Sequence, residues 1–237
     1  MASKNYKSEL DDVFKKFHRF AKASQYRERE KDKILNATTT SINNSVSASS
    51  ASGEKRQELL SDAQENAHKA AEILLQLHHR LVNDFGRFWR QDLITQDQYG
   101  IPEQEIIEAF SILAILSQKP IPTRTITFRM REPDEYGKTR ASLTVSPEPY
   151  VFGLLDCVGE LDRILHDSLK NNQKEFLKQI LKKMEEMYAK LERFKEFPNR
   201  KDPLIKTKSL ANLKNRIDVC GGQVHRCRTL LQNKGIL

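Results

Sequence analysis

Apolar residues recur at three- and four-residue spacing along most of the chain, and prolines interrupt that rhythm at a few places only. The first helical stretch starts at about Ser8, with Leu10, Val13, Phe14, Phe17 and Phe20 on one stripe, and continues through Ile34, Thr38, Ile42 and Val46. Residues 36–53 are rich in Ser, Thr and Asn, whose intrinsic helix propensity is weak. The i,i+4 ladder nevertheless predicts helix until about Ser47, then a loop closed by Gly53. A second helix is expected from about Glu54 to Phe88, carrying Leu59, Leu60, Ala63, Ala67, Ala70, Ala71, Leu74, Leu77 and Leu81. Pro102 opens a third at its first turn, where proline is tolerated, and Pro120 bounds it. Residues 119–146 form an irregular insert in which Thr123–Met130 alternates and suits a short hairpin, with an exposed turn at 133–137. Ser146-Pro147 then starts a helix. Two more amphipathic stretches follow, at about Gln173–Glu196 and Leu204–Leu231. The expectation is an all-α, single-domain antiparallel bundle of six to seven helices spanning residues 1–237.

Composition narrows the functional classes. Of 237 residues, 30% are charged, the net charge is +8 and the pI is near 9.3, a balance that favours polyanionic partners such as nucleic acid. No run of apolar residues approaches the roughly 20 needed to span a bilayer, and the N-terminus has no signal-peptide pattern. The three cysteines, Cys157, Cys220 and Cys227, follow no zinc spacing and read as reduced thiols in cytoplasm or nucleus, with Cys220 and Cys227 on one helix face and packed as small apolar groups. His78, His79, His166 and His225 read as structural or surface groups. Nucleophile elbows, phosphate-binding glycine loops and dinucleotide fingerprints are all missing.

Candidate chemistry lies in two acidic pairs within helical, apolar sequence. Glu105 and Glu108 are three apart among Ile106, Ile107, Ala109 and Phe110; Asp156 and Glu160 are four apart among Leu154, Leu155, Val158 and Leu161. Each pair shares a helix face. Carboxylates in such settings are costly to bury unless something positive meets them, and four converging oxygens suit a hard divalent cation. Glu103, and in part Glu105, also fit the preference of acids for a helix N-terminus. Asp156 could instead pair with a basic residue such as Arg163. Gly153 and Gly159 suggest close helix approach around it.

The stretch 143–163, which contains Pro149-Tyr150-Val-Phe-Gly153-Leu-Leu-Asp156-Cys-Val-Gly159-Glu160-Leu161, resembles the signature segment of the translin-associated factor X (Trax) family. Gln104-Glu105-Ile-Ile-Glu108-Ala109 resembles that family's Q-E-x-x-E-A helix. Asp162, after Glu160-Leu161, departs from the pattern. The resemblance implies a translin-like helical fold and a Mg²⁺- or Mn²⁺-dependent endoribonuclease cleaving single-stranded RNA. It further implies a hetero-octamer with translin, in cytoplasm and nucleus, acting in passenger-strand removal during RNA silencing or in transfer-RNA fragment processing. Carried over, Glu105, Glu108 and Asp156 are catalytic acids. With Glu160, the same residues form the metal set. Lys119, Arg124, Arg129 and Arg131 in the insert, and Arg200, Lys201, Lys206 and Lys208 further on, are candidate contacts to RNA or single-stranded DNA. Phe128 or Tyr136 would stack on unpaired bases. The competing expectation is a translin-like binding scaffold without catalysis, and behind it a helical adaptor that binds no nucleic acid.

Overall fold

The computed structural model describes residues 2–86, 100–133, 137–169, 173–196 and 208–237. It holds six α-helices among these residues: α1 (Ala2–Ser50), α2 (Gly53–Phe85), α3 (Ile101–Leu116), α4 (Pro147–Ser168), α5 (Lys174–Leu191) and α6 (Lys208–Asn233). A 3₁₀ turn, Glu192–Glu196, extends α5. One antiparallel hairpin, β1 (Thr125–Arg129) with β2 (Arg140–Thr144), interrupts the helices between α3 and α4. No helix among the described residues is long and apolar enough to cross a membrane.

α1 runs straight through the polar stretch that separates propensity from packing. Thr38, Ser41, Ser45 and Ser49 are all buried, against the alanine face of α2 (Ala63, Ala67, Ala70, Ala71). Short side chains on both helices allow close approach, and most of the hydroxyls find carbonyls: Thr38 Oγ1 donates to the Ile34 carbonyl at 3.1 Å, Ser41 Oγ to the Ala63 carbonyl of α2 at 2.8 Å and Ser49 Oγ to the Val46 carbonyl at 2.6 Å, while Ser45 Oγ is buried without a partner. The helix outruns the expected stop at Ser47 because Ala48 and Ser49 are buried as well, Ser49 beside Ser168 of α4. Gly53, at φ 57°, takes the left-handed turn into α2.

α3 is the central element, with twelve of its 16 residues buried. Ile106 and Ile107 belong to a core shared with α1, α2 and the hairpin; Ile112, Leu113, Ile115 and Leu116 belong to a second core built by α4, α5 and α6. In the hairpin, Ile126, Phe128 and Leu143 face inward and Thr125, Thr127 and Arg129 face out. Phe128 is only 2% exposed, so it is a core residue and cannot stack on a base. Its parity with Ile126 is the reason.

Candidate active site

Three constraints set the entry into α3. Pro102 occupies its first turn, Glu103 Oε2 accepts from the Ser146 backbone N–H at 2.8 Å, and His78 Nε2 lies 3.3 Å from Glu103 Oε1. Glu103 is 4% exposed, so it is a buried tie between the starts of α3 and α4 and not simply a solvated acid answering the helix dipole. Against this start packs Gly153 of α4. A Cβ there would lie 2.5 Å from the Gln104 carbonyl oxygen and 2.8 Å from Ile107 Cβ. Only glycine lets the two helices meet so closely, and it does so beside both acidic pairs.

That approach brings Glu105, Glu108, Asp156 and Glu160 into one electrostatic cluster. Glu108 is 7% exposed, and its carboxyl is pushed up to about 9, first by desolvation and then by Glu105, Asp156 and Glu160, with Arg216 opposing. Burial likewise raises Glu105, with Asp156 and Glu160 adding to the shift. The partner of Asp156 is Arg216 of α6, whose Nη2 donates to Oδ1, while Gln104 Nε2 donates to Oδ2. The Arg216 guanidinium also lies over the Phe152 ring at 4.8 Å. Arg163 therefore does not neutralise Asp156; it sits 2.6 Å from Glu160 Oε2, close enough for an ion pair but not aligned as a hydrogen bond, leaving that buried oxygen without one. Arg163 and Arg216 thus reach two of the four acids, Glu160 and Asp156, while the enclosure of Glu108 favours its protonated form.

The basic candidates divide. Arg124 Nε donates to the Val145 carbonyl at 3.0 Å, and Arg131 reaches Glu65 at 3.2 Å, so both are engaged within the fold. Lys119 and Arg129 are exposed, and both act on His68 of α2, whose pKa falls through burial first and then through these two cations. His68 itself stacks on Phe110 with ring centroids 5.8 Å apart. Arg200, Lys201, Lys206 and Tyr136 lie outside the described residues, as does the side chain of Lys208.

Sequence reasoning did not identify Arg216, His68 or the roles of Gln104 and Glu103. Arg216 lies 60 residues from Asp156 in an amphipathic helix with many cations, so no local signal marks it. Gln104 opens the Q-E-x-x-E-A helix, adjacent to an acid, and its side chain is a donor suited to one. His166 and Cys227 are also less isolated than their spacing suggested: both lie beside Asp162, at 3.4 and 2.8 Å.

Fold and site together define a class: a mainly helical protein whose third and fourth helices meet at a glycine beside a partly buried carboxylate cluster. The chain matches the translin family over residues 16–231 and belongs to that family. No curated protein matches it significantly. Among solved structures it is similar to AfC3PO in its crystal structure (20% identity, 97% of this chain and 94% of that one, TM-score 0.61). It is also similar to AfC3PO in a complex with duplex RNA (19%, 97% and 94%, 0.58) and to apo-NeC3PO (16%, 95% and 96%, 0.55). At these identities the likeness is one of fold.

Proposed function

We propose that this chain is the catalytic, Trax-type subunit of a translin-family ribonuclease, hydrolysing phosphodiester bonds in RNA with the aid of Mg²⁺ or Mn²⁺. The observation that carries the reading is the cluster of Glu105, Glu108, Asp156 and Glu160, two acids from each of two helices with Glu108 buried and the other three half-buried, in a family whose fold is that of C3PO. The donor set is all carboxylate, with no imidazole or thiol, and includes a buried oxygen of Glu160 without a hydrogen bond, which suits a hard cation. Glu108 and Glu160 would hold it, with Glu105 and Asp156 available to a second ion. Such an ion, when bound, supplies concentrated positive charge to a scissile phosphate.

The chain's own groups have separable tasks. Glu105, less enclosed than Glu108 and with its pKa raised by burial and by Asp156 and Glu160, is suited to accept the proton of an attacking water. Asp156, gripped on both oxygens by Gln104 and Arg216, has a fixed orientation and can align that water. Glu108 holds a proton at neutral pH when no cation is present and gives it up when one binds. Lys119 and Arg129, flanking the His68–Phe110 stack, would grip phosphates without reading sequence. Partnership with translin in a hetero-octamer, residence in cytoplasm and nucleus, and action on silencing passenger strands or transfer-RNA fragments belong to the same proposal.

One observation favours a non-catalytic, RNA-binding scaffold: Asp156 already has a cationic partner in Arg216. The discriminating experiment is cleavage of labelled single-stranded and duplex RNA by the chain co-expressed with a translin partner, with Mg²⁺ or EDTA, beside Glu105→Ala/Glu108→Ala. Metal-dependent cleavage lost in the variant supports the nuclease. Intact RNA bound in every lane makes the chain a scaffold.

A further inference from the structure

Asp162, the charge that departs from the family pattern, stands on the side of α4 that meets α6. Its Oδ1 accepts from the Cys227 thiol at 2.8 Å and lies 3.4 Å from His166 Nε2, and one ligand atom from each of the three residues lies within 4.8 Å of the others. Asp162 and His166 are one helical turn apart, at the i,i+4 spacing that aims two ligands at one point. Cys227 comes from a different helix, 65 residues away, so the three groups converge by tertiary packing and not by chain proximity. A fully buried cysteine ordinarily packs as a small apolar group; here it is set against a carboxylate that is itself mostly enclosed.

We propose that Asp162, His166 and Cys227 form a second metal site, chemically distinct from the carboxylate cluster, that binds a borderline-soft divalent cation of the Zn²⁺ type and ties α4 to α6. One sulfur, one nitrogen and one oxygen donor select Zn²⁺ or Co²⁺ over Mg²⁺, whereas the all-oxygen cluster does the opposite. Tetrahedral zinc with bonds of about 2.0–2.3 Å needs its ligand atoms roughly 3–4 Å apart, a spread the trio reaches with small side-chain adjustments. Arg226 lies 3.7 Å from the other oxygen, Asp162 Oδ2, and its side chain is 63% exposed. It faces Oδ2 and so leaves Oδ1 for the ion. His166, about half exposed, gives the ion its route in, and solvent supplies the fourth ligand. On binding, the Cys227 Sγ–H bond breaks, its proton passes to solvent and the Sγ–metal bond forms, with no change of oxidation state.

Co²⁺ is the probe, added to the 237-residue chain in its own assembly after the carboxylate cluster has been filled with excess Mg²⁺. The expected result is a near-ultraviolet thiolate-to-cobalt charge-transfer band with the visible intensity of a tetrahedral ion, abolished by one equivalent of Zn²⁺. Cys227→Ser should remove the band. His166→Ala, at a half-exposed position, should weaken Co²⁺ binding by more than about tenfold and abolish the rise in unfolding temperature that Zn²⁺ gives the unsubstituted chain. Absence of a thiolate band, or a band and affinity unchanged in His166→Ala, overturns the assignment.

Discussion

Glu108→Gln should stabilise the metal-free protein, by an amount that depends on pH in a defined way. In the fold the carboxyl titrates near 9 against an ordinary value of 4.5, because burial and three neighbouring acids disfavour its charge. The folded state therefore holds a proton that the unfolded chain has released throughout the interval between those values. Stability falls as pH rises across that window. Below about pH 4.5 both states hold the proton and there is no cost. Each pH unit above adds about 1.4 kcal/mol, so the burden at pH 7 is about 3 kcal/mol, and above about pH 9 it grows no further. Glutamine keeps the shape without the charge. The assay is urea denaturation of both proteins in EDTA at pH 5, 6, 7 and 8 and at one protein concentration, followed by far-ultraviolet circular dichroism. Groups away from the cluster titrate alike in the pair, so the difference reports position 108 together with the acids coupled to it. The gain from the substitution should be small at pH 5 and increase steadily to pH 8. A gain that is the same at every pH, or a variant less stable at pH 8, refutes the reasoning. Mg²⁺ added at pH 7 should stabilise the unsubstituted protein and leave the variant nearly unmoved.

Gly153→Ala inserts a methyl group where 2.5 Å separates the site from the Gln104 carbonyl, and should destabilise by about 1–3 kcal/mol while weakening divalent binding, both read by denaturation with and without Mg²⁺. Arg216→Leu removes the cation that competes at Asp156; calorimetry should show Mg²⁺ binding about tenfold tighter or more, equivalent to about 1.4 kcal/mol of relieved repulsion. Lys119→Ala/Arg129→Ala should lower the slope of log K against log salt for single-stranded RNA by about 1.4, roughly 0.7 for each phosphate left unneutralised, measured by fluorescence anisotropy. Phe128→Ala should cost about 3–5 kcal/mol of stability in denaturant and leave that salt slope unchanged, as befits a core residue.

The helices were legible because their stripes are long and their breaks are proline-marked. Where expectation and structure part, packing is the cause. α1 continues to Ser50 through residues of weak propensity because Thr38, Ser41 and Ser49 are small enough to bury against alanines and can bond backbone carbonyls. The first hairpin strand was visible in its alternation; Arg140–Thr144 was not, since only Leu143 among its five residues is fully enclosed. The same alternation that marks the strand also assigns Phe128 to the inward face with Ile126, so its burial could have been read from period alone. In the site, the acids were legible because charge interrupts apolar sequence at helical spacing. Their arginine was not, because a partner chosen by the crossing of α4 and α6 leaves no trace near either residue. The Asp162–His166 spacing was available in the sequence, but Cys227 joins it only through the fold.

Because α3 contributes apolar residues to both cores, its backbone amides cannot be uncovered by loosening only one half of the protein. Opening that helix means dissolving the whole bundle, so hydrogen exchange at Ile106, Ile107 and Glu108 should proceed only through global unfolding. Glu105 and Glu108 are thus mounted on the slowest-exchanging element among the described residues. Their spacing is held by the cooperativity of the fold itself, so a ligand entering between them meets a receptor whose geometry persists for as long as the protein stays folded.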